Sequence, residues 1–118
     1  MATLNTTVKL STPSSVAGVL SLDFTNTQPF TIGDVAGDDL SFSGLTSVVA
    51  TSYGATAYVY MVNTSGSNQI QLKTDAGVQW GIIEPGEWAF FAVPNSVGLK
   101  VDPSAGTIVA NYVIMKKA

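Results

Sequence analysis

Short segments in which apolar and polar residues alternate run through most of this chain, and no segment has the sustained periodicity of a helix. Residues 69–73 show the pattern most cleanly, with Ile70 and Leu72 on one side and polar side chains on the other. Alternation of this period, in segments rich in Val, Ile, Thr, Tyr and Phe, is typical of β-strands with one buried face. The sequence therefore predicts an all-β fold, an antiparallel β-sandwich of about eight to ten short strands. Strand-like patterning recurs in eleven segments, at residues 7–10, 19–24, 30–32, 40–42, 47–51, 56–62, 69–73, 78–83, 88–93, 97–101 and 107–115.

Turn residues separate these segments, most regularly after residue 56. Pro85 and Gly86 predict a type II turn over residues 84–87, because proline presets φ at the second position and glycine accepts a positive φ at the third. Gly77 is expected to take the left-handed position of a short hairpin. Residues 33–39 and 52–55 are expected to be loops.

The 118 residues are predicted to form a single β-sandwich domain, residues 1–118, with no internal repeat. Within it, residues 1–12 form either a core strand or an extended N-terminal arm that is donated to a neighbour. The chain is expected to be complete and made in a cytoplasm, since its N-terminus does not resemble a signal peptide. No apolar run approaches the roughly 20 residues that span a membrane.

The residue types that are missing exclude several kinds of chemistry. The chain has no cysteine, histidine or arginine, so disulfides, thiol nucleophiles, a histidine base and bidentate guanidinium clamps are unavailable. Its formal net charge is −3, and it has no basic stripe for a nucleic-acid backbone. We therefore expect a protein that is not an enzyme, needs no cofactor and binds neither nucleic acid nor membrane.

Charged residues make up only 11% of the chain, well below the usual quarter. The polar remainder is mostly Ser, Thr, Asn, Gln and Gly. Neutral hydroxyls and amides cost less to bury than charges do, so this composition favours a domain that works inside an assembly. A secreted β-domain of low charge would have a similar composition.

Three predicted strands, residues 56–62, 88–93 and 107–115, are apolar on both faces. A two-layer sandwich covers only one face of each strand, so loops from residues 25–55 or another subunit must cover the second. The sequence thus predicts a subunit interface on one of these faces or on the face opposite. Its candidate residues, including two from the N-terminal arm, are Tyr58, Tyr60, Phe91, Val109, Val113, Val8 and Leu10.

Acidic and aromatic residues offer other possible sites. Asp34, Asp38 and Asp39 could together supply oxygen ligands for Ca²⁺, although aspartates that hydrogen-bond their own turn explain the same pattern. Glu84 and Glu87 flank a predicted turn, where solvated carboxylates are the usual finding. A row of exposed aromatic rings could stack on a glycan, whereas core packing is the default for such residues. Its candidates are Tyr53, Tyr58, Tyr60, Trp80 and Trp88.

The C-terminal half, about residues 56–115, resembles small structural proteins of tailed-bacteriophage virions. The resemblance depends on an Asn-led strand from Asn68, the Pro-Gly-Glu turn at 85–87, the aromatic strand 88–91 and a closing strand ending Tyr112-Val113-Ile114. It implies a jelly-roll-like sandwich, commonly trimeric, that decorates a capsid as a cement protein or belongs to a tail fibre or baseplate. The implied partners are further copies of the chain and a major capsid or tail protein, and the implied location is the virion. A carbohydrate-binding module for host recognition is the alternative.

Overall fold

The computed structural model describes residues 2–11 and 23–118. These residues form nine strands and no helix, and thus no helix that could cross a membrane. The strands are β1 Ala2–Ser11, β2 Asp23–Phe42, β3 Thr46–Val49, β4 Ala57–Asn63, β5 Ile70–Lys73, β6 Gln79–Ile83, β7 Trp88–Val93, β8 Leu99–Pro103 and β9 Ile108–Lys117. Every strand pairing is antiparallel. The prediction of an all-β, antiparallel, two-sheet protein is confirmed.

Two sheets make up the sandwich. The larger, sheet A, has the strand order β1-β2-β9-β4-β7, and the smaller, sheet B, has the order β3-β8-β5-β6. The core lies between them, where alternate residues of each strand are fully buried. Its largest fully buried apolar side chains are Met61, Ile70, Ile83, Leu99, Ile108, Val59 and Val101.

The turns that the sequence predicts in the second half are present. Gly86 has a φ of 77°, and the Glu87 amide donates to the Glu84 carbonyl at 3.0 Å. Gly77 has a φ of 87°, and its amide donates to the Thr74 carbonyl at 2.9 Å. Both glycines occupy the left-handed conformation that other residues rarely adopt.

The predicted loop at residues 33–39 is wrong, because these residues belong to β2. This strand runs without a break from Asp23 to Phe42 and joins the predicted strands 30–32 and 40–42. Glycines and aspartates imitate turn signals there, but Gly37 has a different role. A Cβ at this position would lie 2.7 Å from the Tyr112 carbonyl oxygen, so the residue allows β2 and β9 to approach closely. Residues 19–22 of another predicted strand lie outside the described residues.

The first half of β2, residues 23–32, pairs with β1 over its whole length, and we call this hairpin the flap. Residues 2–11 thus pair within their own chain. Ile32 at the end of the flap also pairs with Lys117 of β9, and a β-bulge between Ile32 and Val35 separates it from the rest of the β2–β9 pairing. Bulges bend a strand, and here the bend lets the flap fold back over the outer face of sheet A.

Candidate assembly surface

The outer face of sheet A carries adjacent rows of aromatic and aliphatic side chains. Ala57, Val59 and Met61 of β4 are fully buried against sheet B, so alternation turns Tyr58 and Tyr60 outward. Tyr60 lies directly between its cross-strand neighbours, Phe90 of β7 and Val113 of β9. Facing residues of neighbouring strands share one side of a sheet, so the three form one continuous surface.

The flap covers part of this surface. The ring of Phe30, from β2, lies with its centroid 4.6 Å from that of Tyr58 and 5.9 Å from that of Phe90. Met115 is only 5% exposed although it lies outside the main core cluster, and Leu4 and Met115 line the same groove. The second apolar face that the sequence predicts is thus covered in part by a hairpin of the same chain.

The flap itself has one polar and one less polar face. Leu4, Thr6 and Val8 project towards sheet A, while the alternate residues of β1 and their partners in β2 are exposed. The exposed set consists of Thr3, Asn5, Thr7, Lys9, Thr25, Thr27, Pro29 and Thr31. The hydroxyls of Thr7 and Thr27 hydrogen-bond across the strands at 2.9 Å, and the Thr6 hydroxyl donates to the Gln28 carbonyl at 3.1 Å.

The cover is incomplete, because two grooves run along β1. One, of about 260 Å³, is lined by Leu4, Thr6, Tyr60, Phe90, Val113 and Met115. The other, of about 310 Å³, is lined by Thr6, Thr7, Val8, Tyr60, Trp88 and Phe90. Thr6, Tyr60 and Phe90 belong to both, so the two grooves form one apolar channel beside the flap.

The structure brings together most of the interface residues that the sequence suggested. Tyr58, Tyr60 and Val113 lie on the outer face of sheet A, and Val109 is exposed further along β9 on the same face. Val8 of the flap lines a groove with Tyr60. Phe91 does not join them, because its side chain packs on the inner side, against the core and edge-on to Trp80 at 5.3 Å. Leu10 pairs with Phe24 in the flap, and its side chain lies outside the described residues.

Another apolar region lies along the side of the sandwich where β6 and β7 are the last strands of their sheets. Trp80 is the extra residue of a bulge in β6, since Gly81 pairs with Leu72 and Gln79 pairs with Lys73. Trp80 is half exposed. Val78 is exposed at the turn before β6, and the exposed Val97 lines the same pocket as Trp80. The sequence does not show this clustering, because edge positions depend on strand order.

The charges that form ion pairs lie elsewhere. Lys73 and Asp102 pair at 2.8 Å, and Lys100 and Asp75 at 3.7 Å, on or next to β5 and β8 of sheet B. The pKa of Tyr53 is raised, mainly because burial desolvates its hydroxyl and to a smaller extent because the charge of Asp34 is nearby. The Tyr53 ring also lies 5.3 Å from the Lys116 ammonium. The aromatic rows of sheet A therefore form a largely apolar surface.

The acidic residues form no metal site in the described part of the chain, where no three Asp or Glu side chains converge. Asp34, Asp38 and Asp39, the candidate Ca²⁺ ligands, lie along β2, where Asp38 and Asp39 point to opposite faces because they are adjacent in a strand. Glu84 accepts a hydrogen bond from the Gln69 side-chain amide at 2.8 Å.

One polar residue that the sequence does not single out organises the end of β4. Asn63 is fully buried, and its side-chain amide nitrogen donates to the carbonyls of Asn68 at 2.8 Å and Ile83 at 3.0 Å. Its side-chain oxygen accepts from the Ser65 amide at 2.9 Å. Asparagine normally indicates a loop, and only the partners in three dimensions reveal this role.

Comparison with known proteins gives no relative: no protein-family model, curated protein or solved structure matches this chain.

Proposed function

We propose that this chain is a non-enzymatic structural protein of a tailed-phage virion, a capsid decoration protein that stabilises the shell through protein–protein contacts. It is made in the host cytoplasm and assembles with copies of itself, three in the arrangement that the resemblance implies, and with the major capsid or a tail protein. The observation that carries the proposal is the half-covered aromatic face of sheet A. A domain with so few charges gains by burying such a face against other chains.

The geometry of this face supports binding to a protein surface. Tyr60 is 37% exposed, Val109 43% and Trp88 56%, and they lie on adjacent strands of one sheet. Large exposed aromatic residues beside an apolar channel are the usual anchors of protein interfaces. The partner for this face is therefore a protein surface with apolar side chains and few charges.

The test is quantitative mass spectrometry of purified particles made by the genome that encodes this chain. The proposal predicts peptides of the chain at a fixed stoichiometry to the major capsid or tail protein, and retained through gradient purification. Particles free of the chain would overturn it.

A pair of variants tests the face itself. Tyr60→Lys places a charge at the centre of the exposed surface and should lower the number of copies of the chain bound per particle at least tenfold, since burying an unpaired charge is costly. Leu45→Lys alters another exposed apolar residue, which lies beside Gly77 in the β5–β6 turn of sheet B and away from this face, and should leave the number of bound copies unchanged. Equal occupancy of the two variants would contradict the assignment of the face.

A glycan-binding role is the second candidate, because the channel beside the flap combines the rings of Tyr60 and Trp88 with the hydroxyls of Thr6 and Thr7. Sugars stack on aromatic faces and hydrogen-bond to neutral polar groups. It ranks second because both hydroxyls already hydrogen-bond within the flap. Binding on a glycan array that Trp88→Ala abolishes would favour this role over shell decoration.

A further inference from the structure

β7 is the last strand of sheet A and pairs only with β4 among the described residues. Its sequence is Trp-Ala-Phe-Phe-Ala-Val, with no charged residue, proline or glycine. Natural edge strands normally carry such residues, which block pairing with other chains. This edge has none of those protections.

The direction of its free hydrogen-bonding groups follows from the pairing with β4. The Asn63 amide donates to the Glu87 carbonyl at 2.9 Å, which makes residues 63 and 87 a hydrogen-bonded pair. Because such pairs alternate in antiparallel sheets, Ala89, Phe91 and Val93 also direct their backbone groups towards β4. The amides and carbonyls of Trp88, Phe90 and Ala92 therefore point to the free edge.

The sequence of β7 is self-complementary about Phe90. If β7 lies antiparallel to β7 of a second copy with Phe90 opposite Phe90, then Trp88 faces Ala92 of the other copy. Ala89 likewise faces Phe91. Outside the central Phe90–Phe90 pair, large residues thus meet small ones on both faces of the sheet, and the hydrogen-bonded positions are those whose groups are free.

The side of the sandwich that this pairing would bury is already apolar. Trp80 of β6 is 50% exposed, and Val78 is 64% exposed at the turn before it. Trp80 lines a pocket of about 280 Å³ with Ala92 and Val97, next to the end of β7. An open hydrogen-bonding edge and an exposed apolar patch therefore occur at the same place.

We propose that β7 pairs edge to edge with β7 of a second copy, about a two-fold axis through Phe90, so that sheet A continues through both chains. The inference rests on the proposed function only in that the chain works by self-association. A two-fold contact is isologous, so both copies contribute the same residues. Combined with the expected threefold arrangement, it gives six chains.

The first test is the mass of the purified full chain by analytical ultracentrifugation across a dilution series. Two or six chains support the pairing. A mass of three chains would overturn the pairing and leave the proposed function standing. A mass of one chain at all concentrations, or irregular aggregation, would overturn the pairing and would also remove self-association from the proposed function. Failure of virion incorporation, measured separately on particles, concerns only the proposed function.

The second test uses substitutions that leave the fold intact. Ala92 is exposed, so Ala92→Glu introduces a charge opposite Trp88 of the partner and should raise the dissociation constant at least 100-fold. Ala105→Glu is the matched control on an exposed alanine between β8 and β9, neither of which adjoins β7, and should leave the constant unchanged. Equal constants for the two variants would overturn the proposal.

Amide exchange tests the register directly and does not depend on any variant. In the assembled protein the amides of Phe90 and Ala92 should exchange at least 100-fold more slowly than after dilution, because they gain partners. The amides of Ala89, Phe91 and Val93, which bond to β4, should be protected in both states. Fast exchange at Phe90 and Ala92 at every concentration would overturn the pairing.

Discussion

Asn63 is the residue whose removal we expect to damage the sandwich most. Its side chain satisfies two carbonyls and one amide at a fully buried position, and its backbone carbonyl also accepts from the Gly86 amide. It thereby holds the 64–69 connection and the 84–87 turn against the end of β4. Such a residue positions two loops at once, so its effect is larger than that of one hydrogen bond.

Asn63→Ala should lower the free energy of unfolding by about 2 to 3 kcal/mol, because buried backbone groups lose their partners. Asn63→Asp should be at least as damaging, since a carboxylate would face two carbonyl oxygens. Urea denaturation followed by circular dichroism measures both. Ser67→Ala, at an exposed residue of the same connection, is the control, and a loss for Asn63→Ala no larger than for this variant would contradict the role.

At the scale of elements, the flap is the part of the fold that alternation alone does not predict. The pattern predicted both ends of β7 correctly and the ends of six further strands to within one or two residues, because one face of each strand is buried. It failed for β2, whose 33–39 segment has few apolar residues and gains its structure from pairing with β9. Propensity is a weak guide where neighbouring strands supply the hydrogen bonds.

The candidate surface was accessible to sequence reasoning only in part. Segments that are apolar on both faces, such as 56–62, indicated that the side of the strand carrying Tyr58 and Tyr60 is covered by another part of the structure. That this cover is a hairpin from residues 2–11 and 23–32 depends on the bend at the bulge after Ile32. The unprotected edge of β7 depends on strand order, which alternation does not encode.

Phe30→Ala should loosen the flap and leave the sandwich folded. The ring contacts Tyr58 and Phe90 on sheet A, so its loss should cost about 1 to 3 kcal/mol, confined to the opening of the flap. Amide exchange of β1 should accelerate about 5- to 150-fold, which is the same cost at about 1.4 kcal/mol per factor of ten, while that of the buried strand β4 stays the same. Equal acceleration in both strands would show that the flap and the sandwich unfold together.

At the scale of the whole molecule, the low charge determines how assembly should respond to salt. The chain has only five basic and eight acidic residues, and the ion pairs on sheet B lie away from the aromatic rows. Raising NaCl from 0.05 to about 1 M should change the association constant less than threefold, since screening acts on charges. Ammonium sulfate should strengthen association, because it favours apolar burial. A tenfold loss in NaCl, measured by sedimentation, would instead indicate an electrostatic interface.

Both tryptophans of the chain, Trp80 and Trp88, are half exposed. Trp88 lies beside Tyr60 in the channel on the outer face of sheet A, and Trp80 lies beside Phe91 at the β6 edge. The intrinsic fluorescence of the protein therefore reports on both of its candidate contact surfaces. Any partner that excludes water from the two indoles would shift the emission to shorter wavelength and protect it from quenching by iodide. The protein thus carries a built-in optical probe of its own association, which needs no label and leaves the sequence unaltered.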